Sequence, residues 1–286
     1  MRHNWKIWGG SLLLIALIGG AVAWRQAVTR TAPATTTETT RGTHAATASS
    51  ATVTRTRATT WQTLKHPLKL PILMYHSISH GNQLRVPAAQ FRREMVYLKR
   101  HHYRTLTTQE AIRALTTNTV PQKKVVWITL DDAYRDNLTR ALPILKETHL
   151  HATINVITGF THKANHLSLA EMRAMRRTGT VDFASHTVQH LDLNALTAAQ
   201  QRQELVASKR WLDRHLDQNT RLLCYPAGRA NATTRKLAKA AGYQLALTTQ
   251  EGVAQLKQGR YNLARLRITP GMTTATFAAL VNVTNS

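Results

Sequence analysis

The chain has 286 residues, with 38 Lys and Arg against 14 Asp and Glu, giving a formal net charge of +24. A hydrophobic content of 43% over that length excludes a chain disordered throughout and suits one domain of about 200 residues plus an extension. The single cysteine, Cys224, excludes an intrachain disulfide and reads as a small buried hydrophobe with no catalytic role.

The first element is an uncharged apolar run at 7–24, "IWGGSLLLIALIGGAVAW", behind Arg2 and Lys6. It has the pattern of a signal anchor or, given "AVA" at 21–23, of a cleaved signal peptide. Residues 1–26 are therefore expected to bring the chain to the membrane. The domain would then stand on the extracellular face of the cell membrane or in the cell wall, or be secreted if the segment is cut. That address argues against nucleic acid, which the charge alone would suggest, as does the lack of an interleaved basic and aromatic motif. A basic surface there suits anionic envelope polymers, or serves solubility only. Residues 27–66, dominated by Thr, Ala and Ser, bury too little to offset the entropy of ordering. They read as a disordered spacer, glycosylated or a plain linker.

From residue 67 to 286 the texture is that of a folded, catalytic domain. Strands are predicted at 70–76, 124–130, 152–158, 181–186, 221–226, 243–249 and 263–269 from short apolar runs. Helices are predicted at 87–101, 137–149, 168–179, 197–216 and 232–243, with Ser168 and Thr197 as N-caps and Gly179 and Gly242 as stops. This alternation implies an α/β fold with a parallel sheet, open or closed into a barrel, and chemistry at the strand ends.

Two adjacent acids, Asp131 and Asp132, sit at such an end in "WITLDDAYRDN". After another strand, "SHTVQH" places His186 and His190 four residues apart. An H-x3-H pair among 14 histidines is a weak signal by itself, and an isolated Asp-Asp is more often a helix cap. Together they fit a metal held by two imidazoles and one carboxylate with positions left open, while the second carboxylate takes a proton from bound water.

"TLDDAY" (129–134), "SHTVQH" (185–190) and "YPAG" (225–228), in that order, resemble the motifs of the polysaccharide deacetylase family, carbohydrate esterase family 4, with its NodB homology domain. The resemblance spans roughly 68–270 and implies a distorted (β/α) barrel of about seven parallel strands. It implies Asp131 as general base and Asp132, His186 and His190 as ligands of a divalent metal. Zinc comes first, and cobalt, nickel or manganese suit the same ligands. The third motif departs from the family pattern, since "CYPAG" lacks its Arg and Tyr. The resemblance then leaves the Ala227 N–H as oxyanion donor and Arg265, in "LARLRIT", as a candidate replacement for the Arg, with surface solvation as its plain alternative. "ILMYHSIS" (72–79) is similar to the "YH" variant of the poly-N-acetylglucosamine deacetylases, which implies His76 as general acid, unless it is a structural residue. The implied reaction is hydrolysis of N-acetyl groups on a GlcNAc-containing polysaccharide, poly-N-acetylglucosamine-like or peptidoglycan. The alternative is a degenerate domain that only binds glycans.

Overall fold

The computed structural model describes residues 60–285, so the apolar run at 7–24 and most of the spacer lie outside the described residues. In chain order the elements are β1 (Gln62–Thr63), β2 (Ile72–Tyr75), α1 (Ala88–Arg100), β3 (Arg104–Thr105), α2 (Thr108–Thr117), β4 (Thr119–Val120), β5 (Val125–Leu130), α3 (Leu142–Thr148) and β6 (Ala152–Val156). There follow α4 (Leu169–Arg176), β7 (Val181–Ser185), α5 (Ala198–Leu216), β8 (Leu222–Cys224), α6 (Ala232–Ala240), β9 (Leu245–Glu251), β10 (Leu263–Arg267) and α7 (Thr274–Val281). Among the described residues no helix is long and apolar enough to cross a membrane.

Seven parallel strands run β5-β6-β7-β8-β9-β10-β2, and a second pairing of β2 with β5 closes them into a barrel. The closed form, not the open sheet, is therefore the one adopted. Barrel strands are covered on both faces, which is why β2 (ILMY) is apolar throughout, β5 (VVWITL) is apolar but for Thr129, and both are buried along their whole length. Period-2 alternation still divides them. Ile128, Leu130, Ile154 and Phe183 face the helical shell, in one cluster with α1, α3 and α4. Trp127, Ala184, Leu222, Cys224 and Leu263 belong to a second cluster inside the barrel. Two residues beyond Trp127 is Thr129, and two beyond that is Asp131, so the first acid continues the inward row.

The predicted helices form, and the capping signals operate: Ser168 and Thr197 each close a capping box with Glu171 and Gln200. The helix predicted at 137–149 begins instead as a π-turn over Asn137–Ala141 before α3. Pro143, without an N–H and with a ring that crowds the preceding turn, is accommodated at the start of the α segment. Two helices escaped the periodicity reading, α2 and α7, although α2 opens with a Thr107–Glu110 capping box. The fold also starts earlier than the spacer boundary at residue 66. Gln62–Thr63 pairs with Val120 and Thr119, Leu64 is buried, and the Arg113 guanidinium lies 4.2 Å over the Trp61 ring.

Candidate active site at the strand ends

The site is assembled from the carboxyl ends of β2, β5, β6, β7, β8 and β10. Asp131 leaves β5 with its N–H bonded to the Tyr75 carbonyl of β2 (2.9 Å) and its side chain inside the barrel, 2% exposed. Arg265 reaches it from β10 as a fork, Nη1 to Oδ1 at 2.9 Å and Nη2 to Oδ2 at 2.7 Å. Surface solvation of Arg265 is thereby corrected: the guanidinium is fully buried, and its charge is met by the Asp131 carboxylate. The register of β9 and β10 shifts beside it, between Leu263 and Arg265, and the Thr248 carbonyl accepts from Nε at 2.8 Å. Such an irregularity re-aims a side chain at a barrel rim.

Asn155, on β6, donates from Nδ2 to Asp131 Oδ1 at 2.7 Å. The Cys224 thiol lies 3.6 Å from Asp131 Oδ2 and 3.2 Å from Arg265 Nη2. Cys224 is buried, as its sequence context suggested, but it packs on the ion pair and not only on apolar neighbours. Burial would raise the Asp131 carboxyl, but the Arg265 guanidinium overrides it and holds the group well below the usual carboxylate range. Oδ1 is occupied by two nitrogen donors. Oδ2 takes one, and faces His76 Nε2 at 3.8 Å. Burial lowers the pKa of His76, against the upward pull of Asp131 and Asp132.

Asp132 and Ala133 turn sharply, with φ of 72° and 56°. Among the described residues, Asp132, Ala133, Thr187, His190 and Ala227 are five of the nine non-glycine residues with positive φ. Such strain persists where the surroundings impose it and collects at functional sites. The turn re-aims Asp132 toward the loop after β7. There His186 Nε2 lies 3.4 Å and His190 Nε2 3.7 Å from Asp132 Oδ1. His186 Nδ1 is 2.8 Å from the Cys224 carbonyl, so the tautomer that donates there leaves Nε2 as a lone pair toward the carboxylate.

Among the described residues Asp132 Oδ1 is buried without a hydrogen-bond partner, and ligand atoms of all three residues lie within 4.8 Å of one another. A buried carboxylate oxygen is costly when unpaired. Donor atoms at about 2.0–2.2 Å from one tetrahedral ion stand roughly 3.3–3.6 Å apart, close to the separations found. The donor set therefore fits a divalent cation.

Ala227 lies in the turn after β8, with φ 50°, and its carbonyl accepts from Thr249 Oγ1 at 3.0 Å. Gly228 beside it is obligatory, since a Cβ there would meet Thr249 N at 2.3 Å. The structure thus brings Asp131, Asp132, His76, His186, His190 and Arg265 together and puts Ala227 on a neighbouring strand end. Asn155 was missed from sequence; its inward position on β6, beside β5 and in register with Ala184 of β7, comes from strand pairing and has no local motif to mark it.

A family model described as polysaccharide deacetylase matches residues 118–246. The chain is 43% identical over 221 residues to the Bacillus subtilis protein named "Putative polysaccharide deacetylase YxkH", covering 77% of this chain and 79% of that one. It is 32% identical over 220 residues to a poly-beta-1,6-N-acetyl-D-glucosamine N-deacetylase of Staphylococcus epidermidis, covering 71% and 75%. Among solved structures it is similar to the Streptococcus pyogenes deacetylase PplD in complex with acetate, at 38% identity and a TM-score of 0.73, over 76% of this chain and all of that chain.

Proposed function

The chain belongs to the polysaccharide deacetylase family, hydrolases of carbon–nitrogen bonds, and on that premise we propose that it removes N-acetyl groups from a GlcNAc-containing polymer of the cell envelope in a metal-dependent reaction. The observation behind this reading is the division of labour between two adjacent acids. Asp131 is held ionised by a buried Arg265, while the orphaned Oδ1 of Asp132 faces two imidazoles.

Asp132, His186 and His190 would hold the cation, zinc in the first instance. When bound, it polarises the acetyl carbonyl and acidifies the attacking water. Asp131 accepts the proton of that water at Oδ2, the oxygen with capacity to spare. An acidified water needs only a weak base. Arg265 and Asn155 keep that carboxylate ionised and oriented, and the Ala227 N–H assists the oxyanion. His76 holds, at Nε2, the proton delivered to the departing nitrogen. The products are acetate and a free amine.

β-1,6-linked poly-N-acetylglucosamine leads among substrates, as it is the substrate named for the Staphylococcus epidermidis relative; peptidoglycan is second. The apolar run at 7–24 supports a place outside the membrane, where the basic surface would meet anionic envelope polymers.

The test is acetate release from β-1,6- and β-1,4-linked GlcNAc oligomers and from peptidoglycan, with metal stripped and restored. Release is expected to need metal and to fall by roughly 100-fold or more in Asp131→Asn. Metal bound by a folded protein that releases no acetate from any of these polymers would favour the glycan-binding alternative.

A further inference from the structure

α5 buries Gln201, Glu204, Leu205, Ser208, Leu212 and Leu216 along one stripe, and Glu204 is a charged residue within it, 6% exposed. A carboxylate in such a stripe is costly unless its lone pairs are used. Glu204 Oε2 accepts from two successive peptide groups, Val188 N–H at 2.8 Å and Gln189 N–H at 2.9 Å. Both belong to the loop between His186 and His190.

The opposite side of that loop is held by the turn after β6. Thr158 N–H donates to the Thr187 carbonyl at 3.1 Å and Gly159 N–H to the Val188 carbonyl at 2.8 Å. Gly159 permits this approach, since a Cβ there would stand 2.6 Å from the Val188 oxygen. His186 N–H bonds the Val156 carbonyl of β6 at 2.8 Å, Thr187 N–H bonds Ser185 Oγ at 3.3 Å, and within the loop His190 N–H bonds Thr187 Oγ1 at 3.2 Å. Every N–H from His186 to His190 therefore has a partner, and Glu204 supplies two of the five. The loop needs them, because Thr187 and His190 both sit at positive φ, 65° and 58°.

We infer that Glu204 is a positioning residue for the metal site, clamping the 186–190 loop so that His190 faces Asp132. The inference rests on the metal-site reading above and adds a residue that touches neither substrate nor ion. Partners that orient ligands commonly contribute 10–100-fold to metal affinity.

The experiment measures Zn2+ affinity of the full chain by competition with a chromophoric chelator, without substrate, beside unfolding of the metal-free protein. Glu204→Ala is expected to weaken Zn2+ binding by about 10–100-fold. Glu204→Gln, whose amide oxygen still accepts from both N–H groups, should recover most of it. Glu204→Asp, which keeps the charge but falls short by one methylene, should resemble Ala and serves if Ala does not fold. Unchanged Zn2+ affinity in folded Glu204→Ala or Glu204→Asp, with only the unfolding midpoint lowered, would overturn the inference and leave Glu204 a cap for the fold. A wild-type chain that binds no Zn2+ would instead remove the metal-site reading beneath it.

Discussion

Two buried carboxylates in this molecule stand in environments that move their pKa in opposite directions. Asp131, inside the barrel, and Glu94, between α1 and β2, are each 2% exposed. Glu94 accepts only from neutral donors, the Tyr75 hydroxyl at 2.8 Å and the Gln90 amide at 2.9 Å, and burial pushes it up to about 7. Asp131 has a fully buried guanidinium as its partner and is held well below the usual range. Burial by itself thus makes an acid weak. A buried cation reverses the sign, and only the second environment keeps a base ionised at neutral pH.

The comparison breaks most sharply if the cation is removed. Arg265→Met should leave Asp131 as an unpaired buried charge, costing about 3–5 kcal/mol of stability in urea unfolding. Asp131 should then behave as Glu94 does and take a proton, lowering acetate release at neutral pH by roughly 100-fold or more. A stable variant of near wild-type activity would show that the ion pair is not what keeps the base ionised.

Glu94 provides the converse. Its folded pKa lies above its unfolded one, so its contribution is fully present below the unfolded value near 4.5 and is lost as pH rises through about 7. Stability should therefore fall by up to about 3 kcal/mol across that window. Glu94→Gln should flatten the profile measured by unfolding at a series of pH values, and a slope that survives the substitution would place its origin elsewhere.

The smallest expected effect is at Asn155. Asn155→Leu removes one donor from Asp131 Oδ1 but leaves the Arg265 fork intact, so the pair should stay ionised and be less well oriented. Acetate release should fall by about tenfold, equivalent to about 1.4 kcal/mol. Stability should change little, because Asn155 Oδ1 is itself a buried acceptor without a partner among the described residues.

The same contrast explains how far the sequence could be read. The barrel strands and the acids and histidines at their ends were legible, since parallel strands are continuous apolar runs and D-D and H-x3-H are short-range patterns. Arg265 was visible only as a candidate, because its burial depends on barrel closure, which leaves β2 alone between β10 and β5. Asn155, Glu94 and Glu204 gave no signal beyond a polar residue in an apolar stripe. Apart from Gln90, one turn before Glu94, their partners lie 24, 19 and 15–16 residues away in sequence, brought near by strand pairing and helix packing. The two-residue strands β1, β3 and β4 are too short for any periodicity, and the pairing of β1 with β4 is what draws residues 62–64 out of the presumed spacer.

The most direct test is to follow the side-chain carboxyl carbons of Asp131 and Glu94 by NMR through a pH titration of the metal-free protein, assigning them with Asp131→Asn and Glu94→Gln. The account predicts no titration of Asp131 between about pH 5 and 8 and a step for Glu94 near pH 7. A step for Asp131 inside that window would contradict it, because the residue proposed as base would then be protonated over part of the range in which it has to act.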